Sequence, residues 1–434
     1  MPRPPEMLPV SGPLTALRRV APGARGRTFA ALLGGQLSAQ LLGFLGILLI
    51  PSFYSAAAFG QFSLIMASTF ILQPLISVRL ETALLDVTAG ATGSVLRLAL
   101  RRAAVHAAVL AAVAAVAAAA LAGLGRPEAP LPLWLVGTAG AYTLYQLLFS
   151  TLLAQEAGGW VAVTRVTQAA LFLTLMVSLS RVGGASALAL AYLLSFALPV
   201  LLLGGRLRAV WRAAPDLTDE QRRQVLGRYV WHATPQSVLS FVSQYVLSFV
   251  LARFGLTVLG QFAYAQRLAS TAQSTLGETL RQFNAMRYRR ITQEGGALHR
   301  VVVRDTLKLV PVAAAVLALF LIAQRLPLVA QVFRGQDQYL PAVVLWYASM
   351  LLNIPANVAA TVLGQQRQIL ICEVFILLTR GGVAGAGLWV GHADLLVIAF
   401  CVISVGINAV FTGYLLLLVR RVDGRVSPAT KETI

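Results

Sequence analysis

GRLRAVWRAAPDLTDEQRRQVLGR, residues 205–228, interrupts a succession of apolar runs that extends from Ala31 to Val419. Six arginines, three acids and a proline in this stretch exclude it from a bilayer. Six apolar runs precede it, near 29–50, 57–78, 103–124, 131–153, 161–180 and 186–204. Six follow it, near 229–252, 256–280, 307–324, 340–363, 368–390 and 395–419. A bilayer helix needs about 20 mostly apolar residues, so twelve spans fit the 434-residue chain and leave no room for a soluble catalytic domain. The fold class predicted is all-α: a polytopic membrane protein of about twelve transmembrane helices in two six-helix bundles around a central cleft. The segments are a tail (1–28), a first bundle (29–204), a linker (205–228), a second bundle (229–419) and a tail (420–434). Glu373, Arg380 and GGVAG interrupt the eleventh run, which predicts a short or broken span there.

Composition agrees: 58% of residues are hydrophobic and 12% charged, where soluble chains carry about 25% charged residues. The net charge of +19 would suggest nucleic acid in a soluble protein, but its distribution points to a membrane. Of 35 Lys and Arg, 28 fall in the tails and alternate loops on one side, five in the opposite loops, and Arg267 and Arg380 inside spans. By the positive-inside rule both termini are cytoplasmic, in a bacterial inner membrane. The two cysteines, Cys372 and Cys401, lie in apolar runs and form no disulfide framework. The halves echo one another 200 residues apart: Gly60-Gln61-Phe62 recurs as Gly260-Gln261-Phe262, and Gln36 meets Gln236. Two related bundles around an axis along the membrane normal can enclose a cleft that opens alternately to each face.

Enzymatic and metal motifs are lacking. No P-loop, no HExxH and no close His/Cys cluster occurs, and His106, His232, His299 and His392 are dispersed. Function is therefore sought in the charged and amide residues of the spans. Arg267 lies within span 8 beside Gln266 and Gln273, and a cation at such depth faces protein or a water-filled cavity. Arg79 and Glu81 follow span 2 at the mouth of the cleft. They stand two apart, a spacing that does not face along a helix. Arg281 pairs by spacing with Glu278, and Arg253 stands at the outer end of span 7. Glu373 is the ion-coupling candidate; at seven residues it stands about 10 Å along a helix from Arg380. Pro74, Pro199, Pro235, Pro311 and Pro355 supply bends.

FGQFSLIMASTFILQPLISVRLETALL and LGQFAYAQRLASTAQSTLGETLRQFNAMRYRRITQEGG, set among twelve spans with basic inner loops, resemble the oligosaccharide flippases of polysaccharide biosynthesis. These belong to the multidrug/oligosaccharidyl-lipid/polysaccharide exporter superfamily. The resemblance covers about 28–420. It implies translocation of an anionic polyprenyl-diphosphate-linked oligosaccharide to the outer leaflet, with Arg79, Arg267 and Arg281 receiving the head group. It also implies membrane lipids, a polysaccharide polymerase and glycosyltransferases as partners, without nucleic acid. No cofactor is required; the membrane potential or a proton or sodium gradient would drive the cycle. The alternatives are a cation-coupled drug or metabolite exporter of the same superfamily and a nonenzymatic polysaccharide-assembly scaffold.

Overall fold

The computed structural model describes residues 22–87, 91–125, 130–155, 157–213, 217–325 and 338–426. Most of the two tails, together with Arg126 and Arg334, falls outside the described residues, as do the side chains of His232 and Glu278.

All regular structure among these residues is helical: α1 (Pro22–Phe53), α2 (Ala56–Ser77), α3 (Leu80–Asp86), α4 (Thr92–Gly123), α5 (Leu131–Ala154), α6 (Gly158–Leu179) and α7 (Gly184–Ala213). Then follow α8 (Asp219–Arg228), a π-helical turn (Tyr229–Ala233), α9 (Thr234–Leu251), α10 (Leu256–Gln293), α11 (Leu298–Ala323), α12 (Leu340–Val362), α13 (Gln366–Val390) and α14 (Ala393–Val426). Nine of the described helices are long and apolar enough to cross a membrane. With α5, α9 and α10, which carry more polar residues, they form a polytopic all-α membrane fold.

The sequence spacing misplaced some boundaries. α4 begins at Thr92 rather than near 103, because Val95, Leu96, Leu98 and Ala99 pack into a core while Arg101 and Arg102 stay exposed. α10 has 38 residues, about 57 Å of helix against a hydrocarbon core of about 30 Å, so its arginine-rich turns after Arg281 continue beyond the bilayer. There Arg287 and Tyr288 both donate to Asp305 of α11, at 2.8 and 3.1 Å. Burial first, and Asp305 second, pushes the Tyr288 phenol well above its ordinary range. The expected break in the eleventh span is absent: α13 is continuous over 25 residues, because Arg380 finds partners inside the protein. Two helices occupy much of the polar stretch 205–228. α7 runs through it to Ala213, and α8 starts at a reciprocal cap in which Thr218 Oγ1 accepts from Gln221 N while Gln221 Oε1 accepts from Thr218 N.

The chain divides into two compact units, Met1–Gly46 with Ile65–Val238, and Ile47–Leu64 with Leu239–Ile434. In the first, α5 and α7 pack together and against α4 and α6, and α3 lies on α4 and α5. Leu80, Leu84, Leu96 and Leu147 are fully buried in its core. An aromatic ladder runs Phe70, Tyr142, Phe196, Tyr192, with ring centroids 4.8–5.5 Å apart. In the second unit α12 is central, packed on α10, α11 and α14, with α13 against α14. Trp346, Tyr347 and Tyr288 are buried there.

Lipid tails are as apolar as leucine, so close packing and internal hydrogen bonds, rather than the hydrophobic effect, hold such helices together. The two GQF copies show the packing directly. A Cβ on Gly60 would strike the Leu256 carbonyl, and a Cβ on Gly260 would strike the Ala56 carbonyl. Each glycine thus sits on the residue four before its counterpart.

Candidate functional site

A polar core runs through the second unit, built from four helices. On α14, Ser404, Asn408 and Thr412 recur every four residues and so face one side. Asn408 Nδ2 donates to Ser349 Oγ of α12 at 2.8 Å, and Thr412 Oγ1 donates to Asn353 Oδ1 of the same helix. Ser404 accepts from Arg380 Nε of α13 at 3.2 Å, while Arg380 Nη1 reaches Ser243 Oγ of α9 at 3.0 Å. The guanidinium lies 5.1 Å from the centroid of the Trp346 ring. Arg380 is 5% exposed; hydroxyls and an aromatic face replace the water that a cation would otherwise keep.

Glu373 stands two turns before Arg380 on α13 and is half-buried, with Ser240 of α9 beside its carboxylate. The two charges form no direct ion pair. Arg380 is thus bonded to α9 through Ser243, Glu373 lies beside Ser240 of the same helix, and the two charges share one low-dielectric neighbourhood. A carboxylate so placed can exchange a proton or a small cation while the fixed guanidinium limits the charge left behind. Beside it, the Tyr347 hydroxyl accepts from Gln244 Nε2 at 3.0 Å.

The predicted site residues divide. Gln266, Gln273 and Arg281 fall along one face of α10, opposite α12. Gln266 is 7% exposed and lies beside the Tyr347 hydroxyl. Gln273 lines a pocket with Tyr347. Arg267 is half-buried, one position off that face, and its carbonyl accepts from Ser270 and Thr271. Arg253 is exposed in the turn after α9, away from the polar core. Arg79 belongs to the first unit and is bound to Glu81 at 3.2 Å. The two-residue spacing allows this because Val78 and Arg79 adopt left-handed φ values of 47° and 58°, which break the helix between α2 and α3. Gln73 Nε2 donates to the same carboxylate at 3.1 Å.

Sequence reasoning placed Arg380 in a span but did not nominate it; the signal was the intramembrane arginine itself. The serines Ser243 and Ser404 carried no comparable signal, since a hydroxyl in a membrane helix ordinarily bonds its own backbone.

No family model and no curated protein matches the chain. Solved structures do. A transporter of the MOP superfamily from Pyrococcus furiosus, whose title reports a binding pocket of reversed polarity and suggests a different function, matches with a TM-score of 0.62 at 15% identity, over 92% of this chain and 95% of that one. A mutant of the Vibrio cholerae MATE transporter VcmN matches with a TM-score of 0.60 at 16% identity, over 91% and 95%. A multidrug resistance MATE family transporter in an outward-facing conformation matches with 0.56 at 16%, over 92% and 99%. The chain has the fold of these transporters.

This overturns the resemblance to oligosaccharide flippases, and with it the lipid-linked oligosaccharide substrate and the polymerase and glycosyltransferase partners. The matching structures named above are MATE transporters and a MOP superfamily transporter of suggested different function. The features that carried the resemblance, twelve spans and basic loops, belong to a fold rather than to a substrate. RLETALL, which seemed to offer Arg79 to a diphosphate, instead closes an internal pair with Glu81.

Proposed function

We propose that the protein is a secondary active exporter of small molecules, a drug or a metabolite, driven by a proton or sodium gradient through Glu373. It lies in a bacterial cytoplasmic membrane with both termini and the basic loops inside, and its cycle includes no covalent step. The observation that carries this reading is the pair of charges two turns apart on α13, Glu373 beside Ser240 and Arg380 bonded to Ser243, within a fold that matches MATE transporters.

The physical logic is one of linkage. A cation on Glu373 neutralises one charge of the polar core, and the difference in binding between two conformations biases the equilibrium between them. One elementary charge carried across the membrane is worth about 2.3 kcal/mol per 100 mV, enough to drive a tenfold or larger accumulation. Arg380 keeps the core from becoming a bare anion when the site empties.

The test is uptake of a substrate panel into proteoliposomes under an imposed pH or sodium gradient. Glu373→Gln is expected to lose gradient-driven accumulation while keeping downhill exchange, and Glu373→Asp to keep part of both. Gradient dependence unchanged in the glutamine variant would remove Glu373 from the coupling role.

A further inference from the structure

We infer that α6 and α7 of the first unit form a binding site for one anionic phospholipid of the leaflet that the basic loops face. Its phosphate rests on Arg206 and its acyl chains run along α7. The inference goes beyond the transport reading and does not depend on which solute is exported.

Arg206 stands one turn after Leu202 on α7, about 6 Å further along the helix axis. Its guanidinium carbon lies 3.9 Å from the centre of the Trp160 ring, which belongs to the first turn of α6. The two helices pack against one another. An arginine at the end of a membrane helix ordinarily extends toward water. This one lies over a ring on the neighbouring helix, and tryptophan rings settle at the level of the lipid headgroups. The cation is thereby held at the depth of the phosphates. Stacking occupies one face of the guanidinium and leaves its N–H edge, which binds phosphate oxygens in a fork.

The residues on either side of the cation fit the rest of a lipid. Toward the bilayer centre, Leu201 and Leu202 are 74% and 73% exposed, an apolar surface for acyl chains. Between them and Arg206 come Gly204 and Gly205, where an added Cβ would meet nothing. These positions put no side chain in the way of a glycerol backbone. Arg208 and Arg212 are exposed in the following turns, and α7 carries no acidic residue. The local field therefore favours a headgroup of net negative charge over a zwitterionic one, whose ammonium it repels. Arg97 Nη2 of α4 donates to the Trp211 carbonyl at 2.8 Å and so fixes the end of α7 that presents these charges.

Native mass spectrometry of the full chain in a neutral detergent, titrated with phosphatidylglycerol or phosphatidylcholine, counts the bound lipids and gives the affinity of each. One phosphatidylglycerol is expected to bind about tenfold or more tighter than phosphatidylcholine. Arg206→Gln should remove that preference. Arg206→Lys should keep part of it, because the charge remains while the planar fork is lost, and Trp160→Leu should weaken it by releasing the guanidinium. Arg304→Gln, which removes an exposed arginine of α11 in the second unit, should leave it unchanged. Each variant is first checked for an unaltered melting temperature without lipid; if Arg206→Gln fails that check, Arg206→Lys and Trp160→Leu decide. A preference that survives these substitutions, or that falls equally in Arg304→Gln, would overturn the site in favour of diffuse attraction to a basic surface. Displacement of the phosphatidylglycerol by an equal concentration of glycerol 3-phosphate would assign Arg206 to a soluble phosphate and overturn the lipid as its occupant.

Discussion

Arg380 is the residue on which the second unit depends most directly. A guanidinium at bilayer depth costs about 2.5 to 3.5 kcal/mol on insertion scales, and here two serine hydroxyls and the Trp346 face offset that cost. Truncation removes two charge-assisted hydrogen bonds and leaves Glu373 without its compensating cation. Arg380→Ala should therefore destabilise the protein by about 3 kcal/mol, read as a lowered thermal midpoint in detergent. Arg380→Lys should lose less, because an ammonium keeps the charge but lacks the fork that spans α9 and α14 at once. Double substitution with Glu373→Gln should recover part of the alanine loss. A midpoint unchanged in Arg380→Ala would show that the network holds nothing together. Of these features, the buried charges were legible in the sequence, since any ionisable residue in an apolar run demands a partner. The partners were not, because Ser243 and Ser404 lie 137 and 24 residues away and serine is frequent in such helices.

Helix packing turns on two glycines that the sequence displayed as a repeat. Gly60 and Gly260 each oppose a backbone carbonyl of the other helix, Leu256 and Ala56, so α2 and α10 approach as closely as two backbones can. Any Cβ must push the helices apart. Gly60→Val and Gly260→Val should each cost about 1 to 3 kcal/mol through overpacking, seen as loss of thermal stability and of monodisperse protein on size exclusion. Gly125, whose added Cβ would meet nothing, is the control; its φ of 64° confines the test to conservative replacement by Asn. Unaltered stability in both valine variants would mean that this contact is dispensable. The repeat was legible as a pattern 200 residues apart, yet a pattern does not tell that its two copies touch. The break after α2 was legible in the opposite sense. RLE reads as helix by propensity, and tertiary packing of Leu80 and Leu84 instead holds Val78 and Arg79 in left-handed geometry, which lets residues two apart form an ion pair.

Topology is a property of the entire chain and follows from its charge asymmetry. With 28 basic residues on one side against five on the other, the orientation with basic loops inside is strongly favoured. An impermeant maleimide should label Arg181→Cys in intact spheroplasts, and Arg222→Cys only after permeabilisation, in a background lacking Cys372 and Cys401. Both positions are exposed. The reverse labelling pattern would invert the proposed membrane orientation and the direction of export.

Twelve long helices can be read from composition and order, because bilayer thickness acts on each segment separately. Substrate class could not be read this way: segments that resembled a flippase belong to a fold shared with MATE transporters. Whether an intramembrane arginine is spent internally, as Arg380 is on Ser243 and Ser404, depends on neighbours far away in the chain. Hydrogen bonds and close backbone contacts operate over about 3 Å, and only the folded arrangement of helices sets those distances.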